Sequence, residues 1–455
     1  MHRKQLYILI SILLVSLLPF GCKEKQTSVT YPLTAKGDVI DDYFGTKVAD
    51  PYRWFEDDKS EETAKWVEAQ NKITFDYLAK IPVREKIRAR LTEIYNYPRY
   101  SAPFRVGAHY FFMKNDGLQN QSVVYIQNGL DGEPRVFLDP NTLSPDGTTR
   151  AFLSGFSNDD RYTAYSRSEG GSDWTEMRVM EVETGKELDD RIQWTKFGGA
   201  AWQGDGFYYS GFEKPTEGKE LTAANENQKI YFHRLGTPQT DDQLIYENPA
   251  HPRRYHNLDV TEDERFLFLS TSEGTHGNEL YYQDLKAKKP EFLPLVQGFE
   301  CDTYVINNLD DKLVIMTNMD APNYKAMLVD TKKPARENWT VLLPEKPEVM
   351  TSASIVGGKI FASYLKDANT RIYQHDLAGN VEKEIPLPAL GTAGGFGGKN
   401  EDTLVFYTFT SFTYPPAIYK YDIPSGTSEV FRKTEVKFNP DDYEDKQVFY
   451  PSKDG

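Results

Sequence analysis

Hydrophobic residues in this 455-residue chain follow two patterns, and the change between them lies near residue 100. Before that point apolar residues recur at helical spacing, as in Val83, Ile87, Leu91 and Ile94. After it, short apolar and aromatic runs alternate with polar turns, which is typical of β-strands. The pattern therefore predicts a short mixed α/β segment over residues 29–99, followed by a long all-β region.

Two helices are predicted within residues 29–99. Asp58 is the expected N-cap of the first, because Glu61 follows three residues later as in a capping box. The segment from Ala64 to Leu78 continues that helix. Pro82 opens the second helix and Pro98 ends it, as the fixed backbone of proline favours.

The β region repeats a unit made of a polar turn and a short aromatic strand. Seven such units lie between residues 107 and 402, and a repeat of about 40 to 50 residues built from short strands is typical of propeller blades. The turns are Gly107, Asn158–Arg161, Gly204–Gly206, Thr261–Glu264, Leu309–Asp311, Gly357–Gly358 and Lys399–Asp402. We predict a seven-bladed β-propeller over residues 100–440. The alternative, a large sandwich or two stacked barrels, does not explain seven units of one period.

Composition narrows the function classes. Hydrophobic residues make up 39% of the chain and charged residues 27%, an ordinary balance for a folded protein. The net charge is -15, and acidic residues are spread along the chain, so nucleic acid is not an expected partner. The acidity fits the solubility of an exported protein.

The first 28 residues predict export. Basic residues at positions 2–4 precede the apolar run Leu6–Phe20, which is too short to span a bilayer as a helix. Gly21 stands directly before Cys22, which resembles a bacterial lipoprotein signal in which the cysteine is lipidated. We therefore expect residues 1–28 to be a signal peptide and tether, and the protein to lie in the bacterial periplasm or outer membrane, anchored by lipid. The alternative is ordinary secretion with a free cysteine.

The sequence carries no recognisable catalytic or metal motif. Gly-x-Ser-x-Gly, which places the nucleophile in a serine hydrolase of the α/β type, does not occur, and neither do Cys-x-x-Cys, His-Glu-x-x-His or a Walker loop. His251, His256 and His276 form no fixed ligand spacing. Cys301 is expected to be a small buried hydrophobe. No catalytic residue, metal ligand or cofactor site is predicted in this chain.

Several motifs, in order, resemble the prolyl oligopeptidase family. They are Asp50–Asp57, Glu68–Asn71, Gly117–Gln121, Phe137–Asn141, Gly171–Trp174, Phe409–Phe412 and Tyr450–Gly455. The resemblance runs from about residue 30 to the last residue. It is closer to prolyl oligopeptidase itself than to the oligopeptidase B or dipeptidyl peptidase branches.

The resemblance implies a two-part architecture. In this family a seven-bladed propeller caps an α/β-hydrolase domain that follows it and carries the Ser, Asp and His triad. Residues 441–455 would then begin the linker strand into a hydrolase domain that this chain lacks. The expected function is the propeller portion of a serine-type prolyl endopeptidase, gating access for short peptides that are cleaved after proline. The alternative is a complete, non-catalytic propeller that binds peptides at the cell surface.

The resemblance also implies two substrate-binding residues. Phe197 matches a residue that helps wall the pocket ahead of the proline site, and Asp173 matches a position that faces the cavity. The alternative for Phe197 is blade core, and for Asp173 a turn cap. Ser272 and Thr275 stand where the family's best-known member has Arg and Cys, so the subsite preferences are expected to differ.

Overall fold

The computed structural model describes residues 29–455 and separates into two compact units, with the boundary between Ala89 and Arg90. The first unit contains a hairpin, a 3-10 turn and a helix. Its elements are β1 (Ile40–Tyr43), β2 (Thr46–Ala49), the 3-10 helix Arg53–Glu56, α1 (Glu61–Ala79) and the start of α2 (Arg84–Tyr95). Both predicted helices are therefore present. In the described residues, no helix is both long and apolar enough to cross a membrane.

The cap of α1 differs from the prediction. Ser60, not Asp58, is the N-cap, and its hydroxyl accepts a hydrogen bond from the backbone N–H of Thr63 at 3.1 Å. A hydroxyl at this position satisfies one of the free N–H groups of the first turn. Glu61 and Glu62 follow in that turn, where negative charge is favoured by the helix dipole. The capping-box prediction was thus misplaced by two residues.

The second unit is built almost entirely from antiparallel strands. They are β3 (Arg99–Tyr100), β4 (Phe104–Val106), β5 (His109–Asn115), β6 (Val123–Asn128), β7 (Arg135–Leu138), β8 (Arg150–Phe156), β9 (Tyr162–Ser168), β10 (Thr175–Glu181), β11 (Glu187–Thr195), β12 (Ala201–Gln203), β13 (Gly206–Gly211), β14 (Lys229–Arg234), β15 (Gln243–Tyr246), β16 (Tyr255–Val260), β17 (Phe266–Ser272) and β18 (Glu279–Asp284). The chain continues with β19 (Leu293–Val296), β20 (Thr303–Leu309), β21 (Lys312–Thr317), β22 (Lys325–Asp330), β23 (Thr340–Leu343), β24 (Val349–Val356), β25 (Lys359–Lys366), β26 (Asn369–His375), β27 (Val381–Ile385), β28 (Thr392–Gly395), β29 (Leu404–Thr410), β30 (Ala417–Asp422) and β31 (Thr427–Lys433).

These strands form a β-propeller, in which each sheet is a meander of consecutive strands. Each of the seven predicted turns joins two paired antiparallel strands, for example Thr261–Glu264 between β16 and β17 and Gly107 between β4 and β5. Four sheets have four strands each: β16–β19, β20–β23, β24–β27 and β28–β31. A fifth sheet contains β3–β7. Strands such as β13 and β21 are buried along nearly their whole length, because both of their faces pack against neighbouring sheets.

The sheet count differs from the expected seven separate blades. Strands β8–β15 form one eight-stranded sheet, so residues 99–433 contain six hydrogen-bonded sheets. The two halves of this double sheet, β8–β11 and β12–β15, are joined by a single residue pair between β11 and β13, Thr195 with Gly211. The spacing of repeats along the chain cannot reveal this pairing between β11 and β13, because the pairing depends on how closely the two meanders approach in space.

The core lies between neighbouring sheets. Phe266 and Phe268 on β17 belong to the same buried cluster as Leu313 and Ile315 on β21, in the next sheet. Cys301 is buried in this cluster at 9% exposure, as predicted for a small hydrophobe. Burial of these faces removes apolar surface from water, which is the main driving force for stacking the sheets around an axis.

The first and last sheets meet through side chains rather than through a shared strand. Arg105 on β4 forms ion pairs with Glu401 and Asp402, in the turn between β28 and β29. Arg432 on β31 lies over the ring of Tyr100, 3.8 Å from its centroid. Asp402 is 5% exposed, so this closure includes a buried charge pair.

A buried charge cluster crosses the double sheet. His233 on β14 is fully buried, with Nε2 2.9 Å from Oδ1 of Asp190 on β11 and Nδ1 2.7 Å from Oδ1 of Asp242 beside β15. Burial disfavours a charged imidazole, but the hydrogen bonds to Asp190 and Asp242 outweigh it and raise the pKa of His233 to about 9. Tyr209 on β13 donates to the second oxygen of Asp242 at 2.8 Å. This cluster links strands from both halves of the double sheet.

Candidate functional site

A cavity of about 750 Å³ opens on the side of the first strands of three successive meanders, β8, β12 and β16. We call it the Phe197 cavity, after the aromatic side chain on its wall. Its lining residues are Arg150, Phe152, Ser154, Phe156, Asn158, Ser168, Ser172, Asp173, Thr175, Phe197, Gly198, Gly199, Ala200, Ala201, Trp202, Asn257, Leu258, Asp259 and Val260. Phe197 and Asp173, predicted from sequence as substrate-binding residues, are therefore brought together on one wall.

Phe197 is presented to the cavity by an unusual backbone. Its φ is +56°, and that of Trp194, three residues earlier, is +61°. A residue with a side chain rarely adopts this left-handed region, and such positions often lie at binding sites. The Phe197 ring is 57% exposed and meets the ring of Tyr255 edge-on at a centroid distance of 5.9 Å. This exposure excludes the alternative that Phe197 is part of the blade core.

Two threonines fix the backbone just before Phe197. The hydroxyls of Thr175 on β10 and Thr195 on β11 lie 2.7 Å apart, and Thr195 also donates to the backbone carbonyl of Thr175. After Phe197 the chain passes very close to β8, because a Cβ on Gly199 would lie 2.8 Å from the carbonyl oxygen of Ser154. Glycine is required there by close packing, and it sets the edge of the cavity.

Asp173 stands at the mouth of the cavity with an exposed side chain. The turn beside it is capped by Ser172, whose hydroxyl accepts from the backbone N–H of Trp174 at 3.1 Å. The residue that caps this turn is therefore Ser172, whereas the alternative had assigned the cap to Asp173. Its negative charge acts on Lys196, which is 8% exposed, and favours the charged form of that amine.

Lys196 forms the buried support behind this wall. Its ammonium lies 4.1 Å from the centroid of the Trp174 ring and donates to Oδ1 of Asn225 at 3.0 Å. Burial lowers the pKa of Lys196, and Asp173 opposes that shift. Trp174 in turn donates through its indole N–H to the carbonyl of Glu220 at 2.7 Å. The cation-π contact and these hydrogen bonds hold the aromatic wall in place.

Asp259 on β16 is a site residue that sequence reasoning missed. Its side chain is open to the cavity, yet protein surrounds the cavity, and this desolvation raises the pKa of the carboxyl. Trp202 on β12 was missed as well. It is 4% exposed, and its indole N–H has no hydrogen-bond partner within residues 29–455. Neither residue lies in a motif, so only the meeting of β12 and β16 could have indicated them.

Other sequence predictions lie away from the cavity. Ser272 and Thr275 are not among its lining residues. Cys22 lies outside the described residues, so its lipidation stays a prediction. Among residues 29–455, no group of three or more His, Cys, Asp or Glu side chains is arranged to hold a metal ion.

Comparison with known proteins gives the fold and cavity a context. The family described as "Prolyl oligopeptidase, N-terminal beta-propeller domain" matches residues 31–434. The chain belongs to this family. It is 45% identical over 433 residues to a prolyl endopeptidase of Elizabethkingia miricola, covering 95% of this chain and 61% of the relative. It is 43% identical over 444 residues to a prolyl endopeptidase of Elizabethkingia meningoseptica, covering 97% and 63%.

Solved prolyl oligopeptidase structures are similar in fold to this chain. A structure from a study of two prolyl endopeptidases superposes with a TM-score of 0.83 at 32% identity, covering 94% of this chain and 63% of that one. Prolyl oligopeptidase B from Galerina marginata, bound to a 35-residue substrate, superposes with a TM-score of 0.81 at 27% identity, covering 93% and 63%. This chain spans somewhat under two thirds of these relatives. It corresponds to the N-terminal propeller part of a prolyl oligopeptidase.

Proposed function

We propose that this chain is the propeller portion of a serine-type prolyl endopeptidase that cleaves short peptides after proline. In that enzyme an α/β-hydrolase domain supplies the Ser, His and oxyanion hole of acyl transfer, and the propeller limits access to flexible peptides. The observation that carries the proposal is the Phe197 cavity, where an exposed aromatic ring is held by a left-handed backbone directly after β11. The exposed ring suits the apolar side chains of a peptide, and the polar side chains that line the same cavity can bind its backbone.

The proposal predicts binding without cleavage by the 455-residue chain. We expect a blocked proline-containing tetrapeptide to bind this chain, as measured by calorimetry, and to remain intact in the same sample by mass spectrometry. Phe197→Ala should weaken binding at least tenfold, because the ring supplies the largest exposed apolar contact in the cavity. The matched control is Phe412→Ala, which removes a fully exposed ring outside the cavity. Cleavage by this chain, or equal binding by both variants, would contradict the proposal.

We also propose that the six sheets correspond to seven blades, with β8–β11 and β12–β15 each forming one. The single residue pair between β11 and β13 supports this view, since each half is otherwise a complete four-stranded meander. An experimental structure in which β11 and β13 pair along their length would contradict it.

Export and lipid anchoring through Cys22 are likewise proposals, supported by the basic start, the apolar run and Gly21 before Cys22. Wild-type protein should fractionate with membranes and carry an acylated N-terminal cysteine by mass spectrometry. Cys22→Ser should lose the acyl group and leave the membrane fraction. Wild-type protein with an unmodified Cys22 would rule out the anchor and favour ordinary secretion.

A further inference from the structure

The Phe197 cavity contains a carboxylate, that of Asp259, for which no ion-pair partner is found among the described residues. Three ionisable side chains line it: Arg150, Asp173 and Asp259. Arg150 lies over the ring of Phe152, with its guanidinium carbon 5.1 Å from the centroid, and Asp173 interacts electrostatically with Lys196. The Asp259 side chain is exposed to the cavity and has no hydrogen bond or ion pair with any residue in 29–455, and desolvation by the protein around the cavity raises its pKa.

An isolated carboxylate in such a place is unfavourable. Water in a narrow cavity between sheets solvates a charge less well than bulk water does, which is why the surrounding protein raises the pKa of Asp259. An opposite charge within about 4 to 6 Å would restore the ionised form. The described chain offers none there, so the missing cation would come from the ligand.

A neighbouring feature fits a cationic ligand. The exposed ring of Phe197 stands against Tyr255, on the same strand as Asp259, and aromatic faces attract ammonium and guanidinium groups. The cavity thus offers a carboxylate and an aromatic ring to a positively charged group.

We propose that Asp259 is a specificity-determining residue, which selects peptides that carry a positive charge close to the segment lying on Phe197. The charge is either a Lys or Arg side chain or the α-ammonium of a peptide whose N-terminus enters the cavity. This inference rests on the proposed peptide-binding function, and it names the class of peptide that this site prefers.

The test compares three peptides of equal length by calorimetry on the 455-residue chain: acetyl-Lys-Ala-Pro-Gly-amide, acetyl-norleucine-Ala-Pro-Gly-amide and norleucine-Ala-Pro-Gly-amide with a free N-terminus. We expect at least one cationic peptide to bind about tenfold more tightly than the acetylated norleucine peptide. The lysine peptide reports a side-chain preference and the free amine an N-terminal one. In Asp259→Asn the preference should fall to about onefold, while the affinity of the neutral peptide should remain unchanged.

The matched control is Glu291→Gln, which removes one negative charge at an exposed position away from the cavity and should keep the preference. Asn has nearly the shape of Asp, and thermal unfolding of Asp259→Asn checks that the fold is retained. If all three peptides bind equally, or if Asp259→Asn keeps the wild-type preference, the inference is wrong.

A second pair of probes separates this inference from the proposed function. If no peptide binds, the peptide-binding proposal fails, and phenethylamine is then compared with 2-phenylethanol, its uncharged analogue. Tighter binding of the amine, lost in Asp259→Asn, would still support charge selection by Asp259. Equal binding of the two, or no binding of either, would overturn it.

Discussion

The double sheet β8–β15 and the neighbouring pair of sheets β24–β27 and β28–β31 solve the same packing problem differently. In the neighbouring pair, rings from both sheets form one buried cluster, with Phe361 and Phe396 stacked at 5.1 Å and Phe396 and Tyr407 at 4.9 Å. The double sheet also has an apolar core, but it adds a backbone pair and the buried cluster of Asp190, His233 and Asp242. Hydrogen bonds also join the neighbouring pair, such as the buried one from Tyr421 to Gln374, but the proposed binding site lies on the region that adds the buried charge cluster.

The difference indicates what each region is built for. Apolar packing is non-directional and tolerates small shifts, whereas hydrogen bonds to a buried imidazolium fix the relative position of strands. The segment Lys196–Phe197 follows Thr195, the last residue of β11, whose backbone pairing with Gly211 joins the two halves. We infer that the backbone pair and the buried charge cluster fix the position of this strained segment. Because the cluster contains titratable groups, the stability of this region then depends on pH.

The largest expected loss of stability tests the apolar cluster between sheets β24–β27 and β28–β31. Phe361→Ala should lower the free energy of unfolding by about 3 to 5 kcal/mol, because it opens a cavity in a cluster where this ring is 2% exposed. Urea unfolding measures the loss, and it should be the same at pH 6 and pH 10. Phe412→Ala, at a fully exposed ring, serves as the control and should leave stability nearly unchanged. A loss for Phe361→Ala that varies strongly with pH would contradict a purely apolar role.

The stability that the buried cluster of Asp190, His233 and Asp242 contributes should instead depend on pH. Since the pKa of His233 is raised from 6.5 to about 9 in the folded state, its stabilisation is complete below about pH 6.5 and is lost as the pH rises through 9. Burial opposes the charge of Asp190, but hydrogen bonds from His233 and Gly236 keep its pKa below the usual 3.8. Its contribution is therefore present above that pH and lost in stronger acid.

His233→Gln should remove roughly 3 kcal/mol of stability at pH 6, and the deficit relative to wild type should shrink toward pH 10. Urea unfolding at pH 6, 8 and 10 follows this difference, with Phe361→Ala as the pH-independent reference. A deficit that stays constant from pH 6 to pH 10 would show that His233 is neutral in the folded protein.

The contact between the first and last sheets should show an intermediate effect. Arg105→Met leaves the buried carboxylate of Asp402 without its ion-pair partner and should cost about 1 to 3 kcal/mol. The comparison variant is Arg161→Met, which removes an exposed arginine paired with Asp159 and should have no measurable effect on thermal unfolding. If both variants unfold like wild type, the Arg105 pair does not stabilise the closure of the ring.

The smallest expected effect on stability is at the site itself. Phe197→Gly should stay within about 0.5 kcal/mol of wild type, because release of left-handed backbone strain offsets the greater freedom of glycine in the unfolded chain. Peptide binding should nevertheless fall at least tenfold, as for Phe197→Ala. A large loss of stability would mean that the ring supports the fold rather than the site.

Much of the fold was accessible from local sequence. The seven turns, the strands beside them and both helices follow from residue preferences and hydrophobic period, and the structure bears them out. The cap of α1 was misplaced because Asp58 and Ser60 are both good cap residues, and only the backbone geometry selects Ser60. The seven units were correctly spaced as turns, but the join at Thr195 and Gly211 merges two of them into one sheet.

For the site, the sequence indicated only what belongs to a recognisable motif. Asp173 lies in such a motif and Phe197 could be named from the family resemblance at its position, and both line one cavity. Asp259 and Trp202 could not be named, since an acidic residue and an aromatic residue in alternating strands usually face solvent and core. Their significance depends on what stands opposite them.

The sequence by itself determined the repeated turn-and-strand unit, the absence of a nucleophile motif and the resemblance to the prolyl oligopeptidase family. These follow from local backbone preferences and from short motifs, which are properties of neighbouring residues. The tertiary structure alone decided that Phe197, Asp173 and Asp259 meet around one cavity, and that His233 lies buried between two carboxylates. Closure of the sheets around a common axis brings together residues that are far apart in the sequence, such as Asp173 and Asp259, which are 86 positions apart.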